Sequence, residues 1–287
     1  MRPYLLGLYE KAMPENLSFH ELLSAAGRAG FDFVEISIDE TDARLARLDW
    51  SVSERARLLD SIFEAGVPIG SMCLSAHRRY PLGSHNPSVR ARSMALFKQA
   101  LSLAVDLGIR VIQLAGYDVY YEQSDEQTRA WFLENLLTCA ELAARDAILL
   151  GFETMETPFM DTVEKAMRYV REVNSPYLGV YPDLGNLSNA AALYGKHVTD
   201  DLCAGRGHLL AVHIKETAPG RYRDMEYGEG CVDFHAGIAT ALDLGVLRFV
   251  AEFWHNRTAD WPARLVAANH FVRKAIETAR FAGASGE

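Results

Sequence analysis

The stretch AILLGFETMET, residues 147–157, decides the fold. Ala147-Ile148-Leu149-Leu150 is a short apolar run. It continues through Gly151 and Phe152 and stops at a carboxylate, Glu153. It reads as a buried strand that carries one charged side chain at its C-terminal end. The same design recurs downstream. Leu178-Gly179-Val180-Tyr181-Pro182 ends in Asp183, His208-Leu209-Leu210-Ala211-Val212 in His213, and Arg248-Phe249-Val250-Ala251 in Glu252.

Working outward, strands alternate with helices along the whole chain. Strands are expected at Tyr4–Tyr9, Phe33–Ile38, Pro68–Leu74 and Arg110–Leu114, followed by the four just quoted. Helices are expected over about 18–30, 51–66, 86–108, 124–145, 161–174, 234–244 and 262–281, with a less regular helical region at 188–206. Ser51 with Glu54 forms a capping box, and Ser124 opens a second one. Gly30, Gly66 and Gly108 follow their helices, as left-handed termini require. Eight strand–helix units with nearly all-apolar strands predict a parallel sheet closed into a (β/α)8 barrel. No linker or low-complexity segment interrupts the chain, so residues 1–287 are expected to form one domain.

Composition sets bounds. The 287 residues are 49% hydrophobic and 23% charged, enough apolar material for a large core. A net charge of −9, from 29 basic and 38 acidic residues, argues against a nucleic-acid partner. Cys73, Cys139, Cys203 and Cys231 form no C-x-x-C pair and no disulfide framework. The N-terminus lacks the apolar core and cleavage site of a signal peptide, and no run is long enough to span a membrane. A cytoplasmic location is the expectation.

In a barrel of this kind the C-terminal strand ends share one face, and active sites sit there. Glu153, Asp183, His213 and Glu252 would then meet from four adjacent staves. Taken singly, an acidic strand end is more often a helix cap, and His213 a hydrogen-bonded core histidine. The joint pattern on four consecutive strands points instead to convergence. Three gathered carboxylates repel one another unless one is protonated or a cation lies among them. Three oxygens and one imidazole nitrogen suit one divalent ion, Mn2+, Zn2+ or Co2+, better than Ca2+.

Several segments carry a family likeness. They are GLYEKA (7–12), FDFVE (31–35), SMCLSAHRR (71–79), IQLAGYDVYY (112–121), PDLGN (182–186) and GEGCVDF (228–234). On these the chain resembles the xylose-isomerase-like TIM-barrel superfamily. More closely, it is similar to the L-ribulose-5-phosphate (L-xylulose-5-phosphate) 3-epimerases of L-ascorbate and related pentose catabolism. The resemblance places the metal ligands at Glu153, Asp183, His213 and Glu252. It implies inversion at C3 of a ketopentose 5-phosphate through a metal-stabilised enediolate. Such a reaction needs a base on one face and an acid on the other, and Glu153 with Glu252 is the expected catalytic pair.

A substrate tail lying across the barrel would reach strands one to three. Lys11, Ser75, His77, Arg78 and Arg79 are therefore the expected phosphate-binding residues. Lys215, Arg221 and Arg223 are the weaker alternative. Gln113, Tyr117, Tyr120, Glu156, Asn186 and Lys215 are expected near the sugar hydroxyls. The expected partner is a small sugar phosphate. Barrels of this type often form homodimers, but no sequence feature marks an interface. Three competing readings are an aldose–ketose isomerase of the same superfamily, an apurinic-endonuclease-like barrel and a noncatalytic sugar-binding barrel.

Overall fold

The structure, a computed structural model, describes residues 3–284. The ends of the expected 1–287 unit, residues 1, 2 and 285–287, lie outside the described residues. The strands are β1 (Leu5–Tyr9), β2 (Phe33–Ile38), β3 (Ile69–Leu74), β4 (Val111–Ala115), β5 (Leu149–Glu153), β6 (Leu178–Val180), β7 (Val212–Ile214) and β8 (Arg248–Ala251). The helices are α1 (Phe19–Arg28), α2 (Asp42–Leu45), α3 (Val52–Ala65), α4 (Pro87–Leu107), α5 (Glu126–Arg145), α6 (Val163–Val173), α7 (Leu184–Tyr194), α8 (Val198–Ala204), α9 (Phe234–Asp243) and α10 (Trp261–Ala284). None of the described helices is long and apolar enough to cross a membrane.

The strands pair in parallel in the order β6-β5-β4-β3-β2-β1-β8-β7. The ring closes between β6 and β7 through a thinner seam. Val180 N donates to His208 O (2.8 Å), Leu210 N to Val180 O (2.9 Å) and His213 N to Pro182 O (2.9 Å). This is the (β/α)8 barrel expected from the alternation of elements. Inward-facing Tyr9, Phe33, Cys73, Val111, Tyr181, Ala211 and Val250 fill its interior. The larger apolar layer lies between strands and helices, as period-two alternation in a strand covered on both faces requires.

Local chemistry sets the boundaries. The Ser51 side chain accepts from Glu54 N and the Glu54 carboxylate accepts from Ser51 N, the reciprocal cap expected there. Ser18 and Glu21 do the same for α1. At α5 the expectation is corrected by one residue. Asp125, not Ser124, caps the helix with Thr128, and Ser124 donates instead to the buried Asp118 carboxylate at 2.6 Å. The region 188–206 resolves into α7 and α8, with α7 starting directly after Asp183. The short α2 carries no strong sequence signal and escaped the reading. β7 is also shorter than expected. It begins at Val212, because residues 208–211 pair with β6 only through an isolated bridge at Leu209.

The seam depends on Gly179. A Cβ there would sit 2.4 Å from the His208 carbonyl oxygen, closer than any real contact, so the segment leading into β7 would have to move. Gly179→Ala is expected to lower unfolding free energy by about 1–3 kcal/mol through overpacking. Urea denaturation checks this, and an unchanged midpoint would show that the seam tolerates displacement.

Candidate metal centre and active site

Glu153 is the last residue of β5, and Glu252 follows β8 directly, with its N–H donating to Ile214 O at 2.9 Å. His213 lies inside β7 and Asp183 just beyond β6, the two joined by a parallel bridge. One ligand-capable atom from each of the four lies within 4.8 Å of the other three, and all four residues are buried.

Asp183 does two jobs. Its Oδ1 accepts from Asn186 N at 2.6 Å and caps α7. Its N–H donates to Thr154 Oγ1 at 3.0 Å, which holds the residue against β5. The cap leaves Oδ2 facing the cluster. Asp183 Oδ2, His213 Nδ1 and Glu252 Oε2 are all enclosed, and none has a well-oriented hydrogen-bond partner. Three unsatisfied polar atoms aimed at one another are costly unless a cation joins them. The donor set is hard oxygen plus imidazole, which fits a divalent transition ion.

Charge in the cluster is distributed unevenly. Burial pushes the Asp183 carboxyl up to about 8, with Glu252 and Glu153 adding to the rise and Lys215 opposing it. Burial also disfavours ionised Glu252, but Lys215 and His213 outweigh it and hold that carboxyl well below the usual range. Burial works against an imidazolium at His213, but the Glu35 and Glu252 carboxylates override it and raise its pKa well above the ordinary value. Lys215 Nζ lies 3.2 Å from Asp183 Oδ2 and 4.0 Å from Glu252 Oε2, and donates to Asn186 Oδ1 at 2.9 Å. Lys215 stands two residues after His213, and strand alternation puts both side chains on the inner face.

A cavity of about 240 Å3 opens above the cluster. Glu153, Glu252, Asn186 and Lys215 line its floor side, with Tyr9 and Trp254 as aromatic walls. Toward β1–β3 it is lined by Lys11, Asp39, Glu40, Ser75 and Arg78, and the loops after β5 and β7 add Glu156 and Arg223. Its cations are already paired. Lys11 lies 2.5 Å from Asp39, and Arg78 lies 3.7 Å from Glu156 and 3.9 Å from Glu40. The Arg78 guanidinium also rests 4.7 Å from the Tyr120 ring centroid and donates to Tyr117 Oη at 3.2 Å.

Of the five residues expected to bind phosphate, Lys11, Ser75 and Arg78 reach the cavity. His77 does not. It is enclosed under the loop after β3, and burial pushes its pKa down to about 4, so it is neutral near pH 7. Arg79 turns outward and pairs with Asp42 at 2.8 Å. These two expectations rested on adjacency in sequence, but successive residues of the short 3-10 turn over Ser75–Arg78 point in different directions. Among the residues expected near hydroxyls, Glu156, Asn186 and Lys215 line the cavity. Tyr117 stands behind it and donates to Glu156 at 2.8 Å, and the Tyr120 hydroxyl lies 3.5 Å from the same carboxylate. Gln113 points into the barrel interior, with neither amide atom hydrogen-bonded to protein.

Sequence reasoning passed over Tyr9, Trp254 and Glu35. Tyr9 ends β1, and the strand-end rule would have found it. Trp254 follows Glu252 by two residues and lines the same cavity. Glu35 is a lone carboxylate inside the apolar strand FVEISI, a signal that was present but unread.

The closed parallel barrel and the carboxylate–histidine cluster at its C-terminal strand ends define the class. The chain belongs to the xylose isomerase-like TIM barrel family, whose model matches residues 23–275. Within it, the chain belongs with the L-ribulose-5-phosphate 3-epimerases. It is 45% identical over 276 residues to L-ribulose-5-phosphate 3-epimerase UlaE of Salmonella paratyphi C, covering 96% of this chain and 95% of the relative. It is 46% identical over 263 residues to the protein of the same name from Salmonella paratyphi A, covering 91% of each. The fold also matches a solved L-ribulose 3-epimerase with a TM-score of 0.79 at 20% identity, over 99% of this chain and 98% of that one.

A cation binds only deprotonated ligands. In the metal-free protein burial raises the Asp183 carboxyl to about 8, so this ligand candidate favours its protonated form at pH 7. For Asp183 the folded state binds the extra proton between its unfolded value near 4 and about 8, so this group disfavours the metal-free fold as pH rises through that window. Titrating Mn2+ or Co2+ at pH 7 should therefore release protons. The measurement is calorimetry in buffers of different ionisation heat, and buffer-independent heats would contradict the assignment.

Proposed function

We propose that this chain is a metal-dependent 3-epimerase of a ketopentose 5-phosphate. It would interconvert L-ribulose 5-phosphate and L-xylulose 5-phosphate in L-ascorbate or related pentose catabolism. The carrying observation is that Glu153 and Glu252 enter one small cavity from β5 and β8, within 4.8 Å of each other and of the other ligand candidates. The 45%-identical relatives named for this reaction support the choice of substrate.

Glu153, Asp183, His213 and Glu252 would hold one divalent ion, with Mn2+, Zn2+ and Co2+ suited to these donors. When bound, the ion supplies Lewis acidity at the substrate oxygens beside C3. Glu153 and Glu252 reach that carbon from strands separated by β6 and β7. One carboxylate takes the C3 proton, and the other returns a proton to the opposite face. Lys215, fixed by Asn186 and Asp183, presents an ammonium to the sugar oxygens. Tyr9 and Trp254 cover the reacting carbon and limit water. Lys11, Ser75 and Arg78 take the phosphate, and Glu156 with Tyr117 and Tyr120 sets the pose of Arg78. The proposed unit is one barrel spanning residues 1–287, acting in the cytoplasm as a homodimer, the commonest closed assembly.

Glu153→Gln and Glu252→Gln should each slow solvent exchange of the C3 hydrogen by at least about 100-fold. Incubation with L-ribulose 5-phosphate in D2O, followed by NMR, reads this directly. Normal exchange in both variants would remove the pairing. Arg78→Ala should raise KM for the phosphorylated ketose by about tenfold or more, the scale of one charge-assisted hydrogen bond. It should leave metal content unchanged, and an unaltered KM would move the phosphate elsewhere.

A further inference from the structure

His213 is the imidazole of the cluster, and carboxylates face both of its nitrogens. Nδ1 faces Glu252 Oε2 at 2.8 Å and Glu153 Oε1 at 3.7 Å. Nε2 lies 2.6 Å from Glu35 Oε1. A carboxylate only accepts, so the hydrogen bond to Glu35 makes Nε2 a donor, while Nδ1, close to Glu252 but without hydrogen-bond geometry, is the nitrogen whose lone pair a cation would take.

Glu35 comes from β2, which β1 and β8 separate from β7 in the sheet, so the contact crosses the barrel interior. The carboxylate is itself fixed. Its Oε2 accepts from Ser71 Oγ at 2.6 Å and from Tyr181 Oη at 2.9 Å. The Tyr181 ring packs edge-on against the His213 imidazole, with centroids 4.8 Å apart. Glu35 is fully enclosed. A carboxylate inside an apolar strand is expensive unless it is paired. Its hydrogen bonds go to the imidazole and to two hydroxyls, not to a helix end or a surface cation. Such an expense is what a ligand-orienting group would justify.

We propose that Glu35 is a positioning residue for the cation site. It fixes His213 in the Nε2–H tautomer with Nδ1 aimed at the ion, while Ser71 and Tyr181 fix Glu35. The inference rests on the metal reading above. An outer carboxylate that orients a ligating histidine also raises the basicity of the coordinating nitrogen, and losing it weakens metal binding by about 10–100-fold.

The test uses the full chain as wild type, Glu35→Gln and Tyr181→Phe. Co2+ affinity is measured by competition with a chelator and read from the visible absorption of the bound ion. The tautomer is read by 15N NMR of the imidazoles in Zn2+-loaded protein. We expect Glu35→Gln to lose about 10–100-fold in Co2+ affinity, Tyr181→Phe to lose less, and the protonated Nε2 signal of His213 to shift in both. A purely structural Glu35 would lower the melting temperature and leave the affinity and the 15N pattern of the folded protein as in wild type, which overturns the proposal. Should Glu35→Gln fail to fold, Tyr181→Phe carries the test, and wild-type affinity with an unshifted Nε2 signal overturns it equally. Absence of Co2+ binding by the wild type would overturn the metal reading, and this inference with it. Binding by the wild type that Glu35→Gln matches would overturn this inference alone.

Discussion

Mutual repulsion among Glu153, Asp183 and Glu252 is the constraint on which the rest of the structure depends. Two like charges about 4 Å apart repel by about 4 kcal/mol even at an effective dielectric of ~20. Three such groups, all buried, would drive the strand ends apart unless the charge were met. The protein meets it with an imidazole and a lysine inside the same small volume, and with an Asp183 carboxyl whose raised pKa favours its neutral form. A divalent ion would meet it more completely, because it satisfies the unpartnered atoms of Asp183, His213 and Glu252 together.

The barrel makes this crowding geometrically affordable. Each ligand candidate comes from a different stave, so none is forced on its neighbour by its own backbone. The thin β6–β7 seam lies between Asp183 and His213, and a bare glycine on β6 lets the two strands close. Capping α7 with one Asp183 oxygen orients the other without further hydrogen bonds. Behind His213, Glu35, Ser71 and Tyr181 extend the polar network below the cavity floor into the barrel interior. Function here is distributed along a column, from the bulk of the barrel to its mouth.

The mouth combines both signs of charge. Lys11, Arg78 and Arg223 stand beside Asp39, Glu40 and Glu156. Arg78 is clamped between tyrosine rings and carboxylates and keeps a defined pose. A phosphate arriving there would have to replace some of these carboxylate contacts. That exchange favours a compact dianion over a neutral sugar, since only the dianion gives the guanidinium and ammonium groups an anionic partner in place of the carboxylates.

The eight staves, the helix cap at Ser51 and the four polar strand ends were all legible in the sequence. They rest on local patterns: apolar runs of strand length, capping spacings, and one polar residue where a run stops. The same local logic failed for His77 and Arg79, because neighbours in a tight turn diverge. It missed Glu35 because that residue's meaning lies in a partner 178 positions away. The sequence by itself determined which elements form and which faces they bury, since both follow from periodicity over a few residues. Only the tertiary structure decided which oxygen of Asp183 is spare, which nitrogen of His213 is exposed to the cluster and which cations reach the cavity. Those outcomes depend on chain closure between distant strands, and no short-range spacing encodes that.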